Sequence, residues 1–340
     1  MAKKVENILI VGNFGYKSNK LDGQTIKTRV VMEGIKCKVK DSKVIYIDSD
    51  TVNYILFIIK LLFYCCISNK IIVLPGKKAM KVVMPIVTLF KIFNKDIRYI
   101  VIGGWLPEHL KRNKYLLFLC KMFDGIYVEL NSMVYKLNDI GVYNVEYMPN
   151  SRFLNGNNIG NNSKNEKNSP FKLVFLSRVR QDKGIELIIK AIEEINVELD
   201  VYGQVDKDYE KRFYTIINSS KNVKYNGVVE QKDINKILQK YDLLVFPTYY
   251  EGEGFPGVIL DGMIANIPII CSDWKYNNEI IKNGYTGYIF KAKDIDDLKK
   301  VIIKCINDKE DLKRIKQNQV IEVKKYDILN VLDIIISKWS

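Results

Sequence analysis

Histidine is almost missing: His109 is the only one in 340 residues. That excludes a metal centre built from several imidazoles. The six cysteines, at 37, 65, 66, 120, 271 and 305, show no CxxC spacing. Neither a zinc ribbon nor a disulfide framework is written here, and the set reads as buried free thiols in a reducing cytosol. No apolar run reaches the roughly twenty residues of a membrane span; the stretch Asn53 to Ile67, at about fifteen, reads as a packed or interfacial helix. The opening MAKKVENILIVGNFG has a short apolar stretch that ends in a glycine loop, which is not a secretory leader and points to a cytoplasmic protein. Acid is short against base, 39 Asp and Glu to 53 Lys and Arg, a formal charge of +14. Such an excess suits polyanions, anionic membrane surfaces or nucleotide diphosphates. No dense Arg cluster or aromatic RNA-binding box accompanies it, so nucleic acid is not an expected partner.

What the chain does have is material for two cores. Its 47% hydrophobic residues are spread over a length that fits two domains of about 150 to 170 residues each. Apolar runs alternate with helical patterns throughout, which predicts mostly parallel sheets wound with helices. Strands are expected near 7–11, 44–47, 70–74, 97–102, 125–129 and 145–148 in the first half. In the second half they are expected near 171–177, 197–202, 223–226, 243–247 and 267–271. Helices are expected over 77–93, from Pro107 to about Phe123, over 294–324 and, amphipathic, over 327–339. The stretch 155–170 is polar and rich in Asn and Gly and reads as a linker. Domains of 1–150 and 171–325 follow, with 151–170 between them and 326–340 as a closing helix.

The most informative stretch is Leu243 to Trp274. A buried strand enters a loop with Glu251, Gly252, Glu253 and Gly254, Pro256 starts a helix, Asn266 ends it in a left-handed turn, and a second strand follows. Glycines let a ligand reach the backbone, and the free N–H groups of a helix start favour an anion. Two glutamates beside such a place repel an anion unless they face something else, and sugar hydroxyls suit a strong acceptor. Asp261 lies about five helical residues past Pro256, roughly 7 to 8 Å along the axis. Carboxylates so placed can hold two different sugars; otherwise they are favourable charges at a helix N-terminus.

The run TYYEGEGFPGVILDG resembles the Glu-x7-Glu signature of retaining GT-B glycosyltransferases of family 4, in the branch of bacterial capsule and exopolysaccharide clusters. Here the second acid is Asp261, one methylene shorter. Arg178 and Lys183-Gly184 match the same family's Arg-x4-Lys-Gly feature. The resemblance implies two Rossmann-like doubly wound domains facing across a cleft, with Arg178 and Lys183 gripping the donor diphosphate. It gives the hexose to Glu253 and the ribose to Asp261, with Gly254, Phe255 and Pro256 at the helix start. Gly203 and Gly227 follow strand ends where a nucleotide lies, and the backbone of Val228 and Val229 meets the base. In the first half it implies Gly15 near the donor phosphates, Gly104 and Trp105 on the acceptor side, and His109 beside them as either a structural or a functional histidine. Pro149-Asn150 resembles the pair that ends the first domain, and the fold so implied sends the closing helix 326–340 back to that domain.

Asp48-Ser49-Asp50 reads as a helix cap after a strand rather than a metal-holding DxD. The first glycine loop lacks a full GxGxxG, so NAD is a poor candidate. The resemblance therefore implies a metal-independent hexosyltransferase using a nucleotide diphosphate sugar, UDP favoured, with no other cofactor. Its acceptor would be a lipid-linked oligosaccharide at the inner face of the cell membrane. Lysines 77, 78, 81 and 91 among apolar residues fit peripheral contact with an anionic leaflet, and equally a core helix with wet lysines. Two alternatives stay open: a catalytically silent partner subunit of another transferase, and a sugar-nucleotide epimerase on the same fold.

Overall fold

A computed structural model of the protein describes residues 6–18, 22–50, 53–154 and 170–339. The chain divides into one unit of Met1–Phe153 with Tyr326–Ser340 and a second of Leu154–Lys325. Residues 155–169, most of the expected linker, lie outside the described residues.

In the first unit six strands, β1 (Asn7–Gly12), β2 (Lys43–Asp48), β3 (Lys70–Leu74), β4 (Asp96–Ile100), β5 (Gly125–Val128) and β6 (Val145–Tyr147), form one sheet in the order β2-β1-β3-β4-β5-β6. Every pairing is parallel. A parallel sheet is covered on both faces, so its central strands are continuous apolar runs: Ile8 to Val11 and Ile71 to Leu74 are all buried. The order reverses around β1, and open parallel sheets bind ligands at the carboxyl ends of the strands on either side of such a reversal.

Several helices are shorter than their apolar patterns predict. The helix expected over 77–93 runs only Met80–Leu89, followed by a 3-10 turn Phe90–Phe93. The one expected up to Phe123 is two, Leu106–Lys111 and Lys114–Lys121, because the Asn113 carboxamide accepts the Leu116 N–H at 3.1 Å and starts a new helix. In the second unit Asp308 does the same, separating Ile295–Asn307 from Lys309–Glu322 by accepting from Asp311 N at 2.9 Å. A side chain that competes for backbone N–H groups ends a helix that periodicity alone would continue. Asp48 is not a helix cap: its carboxylate accepts from Phe14 N at 3.0 Å, Tyr16 N at 3.3 Å and Asp50 N at 2.9 Å, which holds the first glycine loop, while Asn53 caps the next helix.

The closing segment also departs from a single helix. It forms short turns, Ile328–Val331, Asp333–Ile336 and Ser337–Trp339. Its apolar period survives: Ile328, Val331, Leu332 and Ile335 are buried in the first unit's core with Val31, Ile35 and Met148. Gly34 is what admits them, since a Cβ there would stand 2.6 Å from Leu332 and 2.7 Å from Ile328. Of the six thiols, expected buried as a set, Cys37 and Cys66 are exposed. Burial pushes Cys65 and Cys120 up to about 12.

The second unit repeats the architecture with β7 (Phe171–Leu176), β8 (Val197–Tyr202), β9 (Val223–Tyr225), β10 (Leu243–Phe246), β11 (Ile269–Ser272) and β12 (Tyr288–Phe290), ordered β12-β11-β10-β7-β8-β9 and parallel throughout. Its core joins Leu173, Phe175, Val201 and Val245 of the sheet to Ile188, Phe213, Ile302 and Ile315 of the helices. Here the order reverses between β7 and β10, whose following loops carry the two charged motifs.

Candidate functional site in the second unit

Because β7 and β10 are neighbours, the loop after one meets the loop after the other. Lys183 reaches Glu253 at 2.5 Å, although 70 residues separate them. The Thr248 hydroxyl donates to the same oxygen, Oε2, at 2.9 Å. The other oxygen, Oε1, makes no hydrogen bond to a described residue and is the acceptor left for a hydroxyl. Glu253 is only 8% exposed, and a buried carboxylate is retained only with such partners. Its support continues inward: Ser272 Oγ donates to Thr248 O at 2.5 Å and Asn277 Nδ2 to Ser272 O at 3.0 Å, all three fully buried.

Cations crowd this loop. Lys183 Nζ lies 4.6 Å from the Tyr250 ring centroid and Arg180 4.8 Å from it, favourable positions over an aromatic face. Arg180 also pairs with Asp182 at 2.6 Å. Arg178 does not join Lys183 on a common partner: it pairs with Asp206, beyond β8, and its side chain is 55% exposed. The loop is braced by the turn that follows β11, where Trp274 Nε1 donates to Tyr250 O at 2.9 Å and Lys275 Nζ to Glu251 O at 2.6 Å.

The helix that follows is Gly257–Ile264, with Pro256 at its N-cap position and no side chain capping it. Pro256 thus precedes the first helical residue instead of supplying it, and its φ of −66° with ψ of 123° is extended. Gly254, Phe255 and Pro256 are buried. The expected left-handed end is present, Asn266 at φ 54°. Asp261 is 8% exposed, with Gln231 Nε2 3.4 Å from its Oδ1. The Gln231 Oε1 is buried and has no hydrogen-bond partner, so an acceptor stands beside the second acid.

Gly203 and Gly227 both take left-handed backbone, φ 135° and 79°, and Gly203 N donates to Gly227 O at 2.8 Å. A Cβ on Gly203 would stand 1.8 Å from the Ser177 carbonyl, so only glycine lets β8 pass the start of the Arg178 loop. Val228 is exposed and Val229 half-buried.

The first-unit candidates follow two strands of the other sheet, Gly15 after β1 and Gly104, Trp105 and His109 after β4. Gly15 takes φ 61° in the loop that Asp48 holds, where Arg29 Nε donates to Phe14 O at 2.7 Å. Trp105 donates from Nε1 to Ile102 O at 2.8 Å and meets the His109 ring edge-on at 5.6 Å. His109 is held below its ordinary pKa, first by burial and then by Lys77 and Lys81. Sequence reasoning missed the pair beneath them: Lys27 and Glu129, both almost fully buried, meet at 2.6 Å, and Glu129 Oε2 accepts the Gly103 N–H at 3.0 Å. That contact fixes the glycine turn leading to Gly104 and Trp105. Among the described residues no group of three or more His, Cys, Asp or Glu is placed to hold a metal ion.

Residues 159–320 match the family described as "Glycosyl transferases group 1". The capsular polysaccharide biosynthesis glycosyltransferase CapM of Staphylococcus aureus is 26% identical over 162 residues, 44% of this chain and 42% of CapM. The UDP-Gal:alpha-D-GlcNAc-diphosphoundecaprenol alpha-1,3-galactosyltransferase of Escherichia coli is 29% identical over 107 residues, 32% of this chain and 27% of that one. The chain thus spans less than half the length of these curated relatives. The structure of Anabaena Alr3699/HepE in complex with UDP and glucose superposes with a TM-score of 0.78 at 16% identity, covering 98% of this chain and 99% of that one. At that identity the likeness establishes the fold, GT-B with its two Rossmann-like units.

Proposed function

From the match of residues 159–320 to the group 1 glycosyl transferases, we propose that the protein is a retaining glycosyltransferase of capsule or other cell-surface glycan synthesis. It moves a hexose from a nucleotide diphosphate sugar, UDP favoured, to a hydroxyl of a lipid-linked oligosaccharide on the cytoplasmic side of the membrane. The observation that carries this reading is the buried Glu253 carboxylate, fixed by Lys183 and Thr248 where the sheet order reverses. The named E. coli relative uses a UDP sugar and a diphosphoundecaprenol acceptor, and HepE was solved with UDP; both facts favour the same donor and acceptor classes here.

The chemistry follows from the charges. A departing nucleotide diphosphate gains negative charge in the transition state, where preorganised cations and N–H dipoles act most strongly. Arg178, Lys183 and the uncapped start of the helix Gly257–Ile264 supply these. Glu253 orients the hexose through its free oxygen, and Asp261 with Gln231 holds the ribose. The leaving phosphate takes the acceptor proton on the face it vacates, so the bond to the acceptor forms where the bond to phosphate broke and configuration is retained. No protein nucleophile and no metal is required in this scheme.

The test is turnover of UDP-hexoses with a lipid-linked acceptor in the presence of a chelator, with the product anomer read by proton NMR. Retained configuration is expected, with losses of roughly a hundredfold to a thousandfold in kcat for Lys183→Ala and Glu253→Ala. An inverted product, or activity abolished by the chelator, contradicts the mechanism. Nucleotide binding without any turnover would favour the partner-subunit alternative.

A further inference from the structure

The helix Tyr54–Ile67 buries only Phe57, Leu61 and Cys65. Ile55 is 74% exposed, and Tyr54, Leu56, Ile59, Phe63 and Ile67 are exposed with it. A helix that is apolar all round normally lies inside a protein or against lipid. Its neighbours extend the surface. The helix Met80–Leu89 packs beside it and the helix Lys114–Lys121 beside that; with the 3-10 turn Phe90–Phe93 they add exposed Leu89, Ile92, Phe93, Tyr115 and Phe118. So wide an apolar surface marks an interaction face.

The charge on this layer says what covers it. The segments 54–67, 77–95 and 111–122 contain ten Lys and Arg and not one Asp or Glu. Among the described residues only Lys91 and Lys111 of these meet a carboxylate, Asp124 at 2.7 Å and Glu108 at 3.3 Å. A second copy of the chain would set the same cations against one another. Apolar side chains among unopposed lysines instead match an anionic lipid surface, where the chains enter the acyl boundary and the ammonium groups reach the headgroups. At fourteen residues the first helix is about 21 Å long, short of the roughly 30 Å hydrocarbon core, and no described helix is long and apolar enough to cross. A helix of that kind fits in the plane of a surface rather than across it.

We propose that the outward face of these three helices is the surface by which the first unit docks on an anionic bilayer, with Ile55, Ile59 and Phe63 inserted and Lys60, Lys114 and Lys121 on the headgroups. This names the face behind the membrane reading above and rests on that reading only for its purpose, access to a lipid-linked acceptor. The same layer leads to the acceptor candidates, since Lys77 and Lys81, which precede and open its second helix, are the charges that act on His109.

The experiment is sedimentation of the full chain with vesicles of phosphatidylcholine alone and of phosphatidylcholine with phosphatidylglycerol. Stabilisation by UDP is followed in parallel, so that failure of docking is separable from failure of the transferase reading. Binding to the anionic vesicles is expected. Ile55→Glu with Ile59→Glu and Phe63→Glu should abolish it, and Lys60→Glu with Lys114→Glu and Lys121→Glu should weaken it roughly a hundredfold, with UDP stabilisation unchanged in both. Should the first variant fold poorly, a polarity-sensitive dye on exposed Cys66, in a Cys37→Ser background, should shift to the blue on anionic vesicles only. Equal binding to neutral vesicles, binding indifferent to both variants, no binding at all, or a wild-type dimer that the glutamates turn into a monomer would each overturn the proposal.

Discussion

Glu253 and Lys183 could be picked out of the sequence because each sits in a linear pattern whose spacing has a chemical reason. Thr248, Ser272, Asn277, Arg180 and Gln231 could not, although they hold or flank the same carboxylates. Their roles come from contacts such as Ser272 to Thr248, 24 residues apart, and a lone threonine at a strand end looks like any other. The sequence does not decide whether His109 is structural or functional, and its surroundings in the fold carry a prediction. Burial, then Lys77 and Lys81, depresses its protonation in the folded state, whereas the unfolded chain titrates near the usual 6.5. Below about pH 6.5 the unfolded state therefore binds the proton first, and stability falls with pH until the depressed folded value is passed. In His109→Gln, urea midpoints at pH 7.5 and 5.5 should differ less than in the wild type. Equal differences would contradict the placement of His109.

Among the elements, the central strands were legible because burial on both faces makes them unbroken apolar runs, and the predicted span 70–74 is the observed β3. Helix ends were less legible. Asn113 and Asp308 stop helices by capturing N–H groups just ahead, and nothing in a 3.6-residue period distinguishes a polar residue that does this from one that faces water. The loop glycines carry the next prediction. Gly203→Ala combines φ 135° with a Cβ 1.8 Å from the Ser177 carbonyl, while Gly227→Ala has φ 79° but open space around it. The left-handed backbone alone costs about 1 to 3 kcal/mol, and the clash at Gly203 adds to it by pushing on the residue before Arg178. Gly203→Ala should lower the urea midpoint by clearly more than Gly227→Ala and weaken UDP binding. Equal effects would show that the close approach is not structural.

For the whole molecule, the closing segment 326–340 belongs to the first unit despite following the second in sequence. It places Ile328, Val331, Leu332 and Ile335 in that core. At about 1.5 to 3 kcal/mol for each buried side chain, the four contribute roughly 6 to 12 kcal/mol as an upper estimate, comparable with the entire stability of a domain, about 5 to 15 kcal/mol. Truncation after Lys325 should therefore unfold residues 6–153 while leaving 170–325 folded. Limited proteolysis should then cut the first unit rapidly and spare the second; a truncated chain whose first unit resists protease would refute this assignment. The two-unit division itself was legible from length and the repeated strand and helix pattern. The breaks inside the closing segment were not, because Leu332 interrupts it without disturbing its apolar period.

The central claim is a nucleoside diphosphate site at the order reversal of the second sheet. The most direct measurement is thermal unfolding of the purified chain with UDP, GDP, ADP or NAD, repeated for Arg178→Ala. Arg178 is preferred because its exposed side chain can be removed without stranding a buried charge, as Lys183→Ala would strand Glu253. A ligand at a hundred times its Kd adds about 2.7 kcal/mol to the folded state, roughly 5 to 10 °C for a unit of this size. Such a rise is expected with a nucleoside diphosphate, UDP foremost, and is expected to be lost in Arg178→Ala. A rise with NAD alone, or with none of the four, would contradict the central claim.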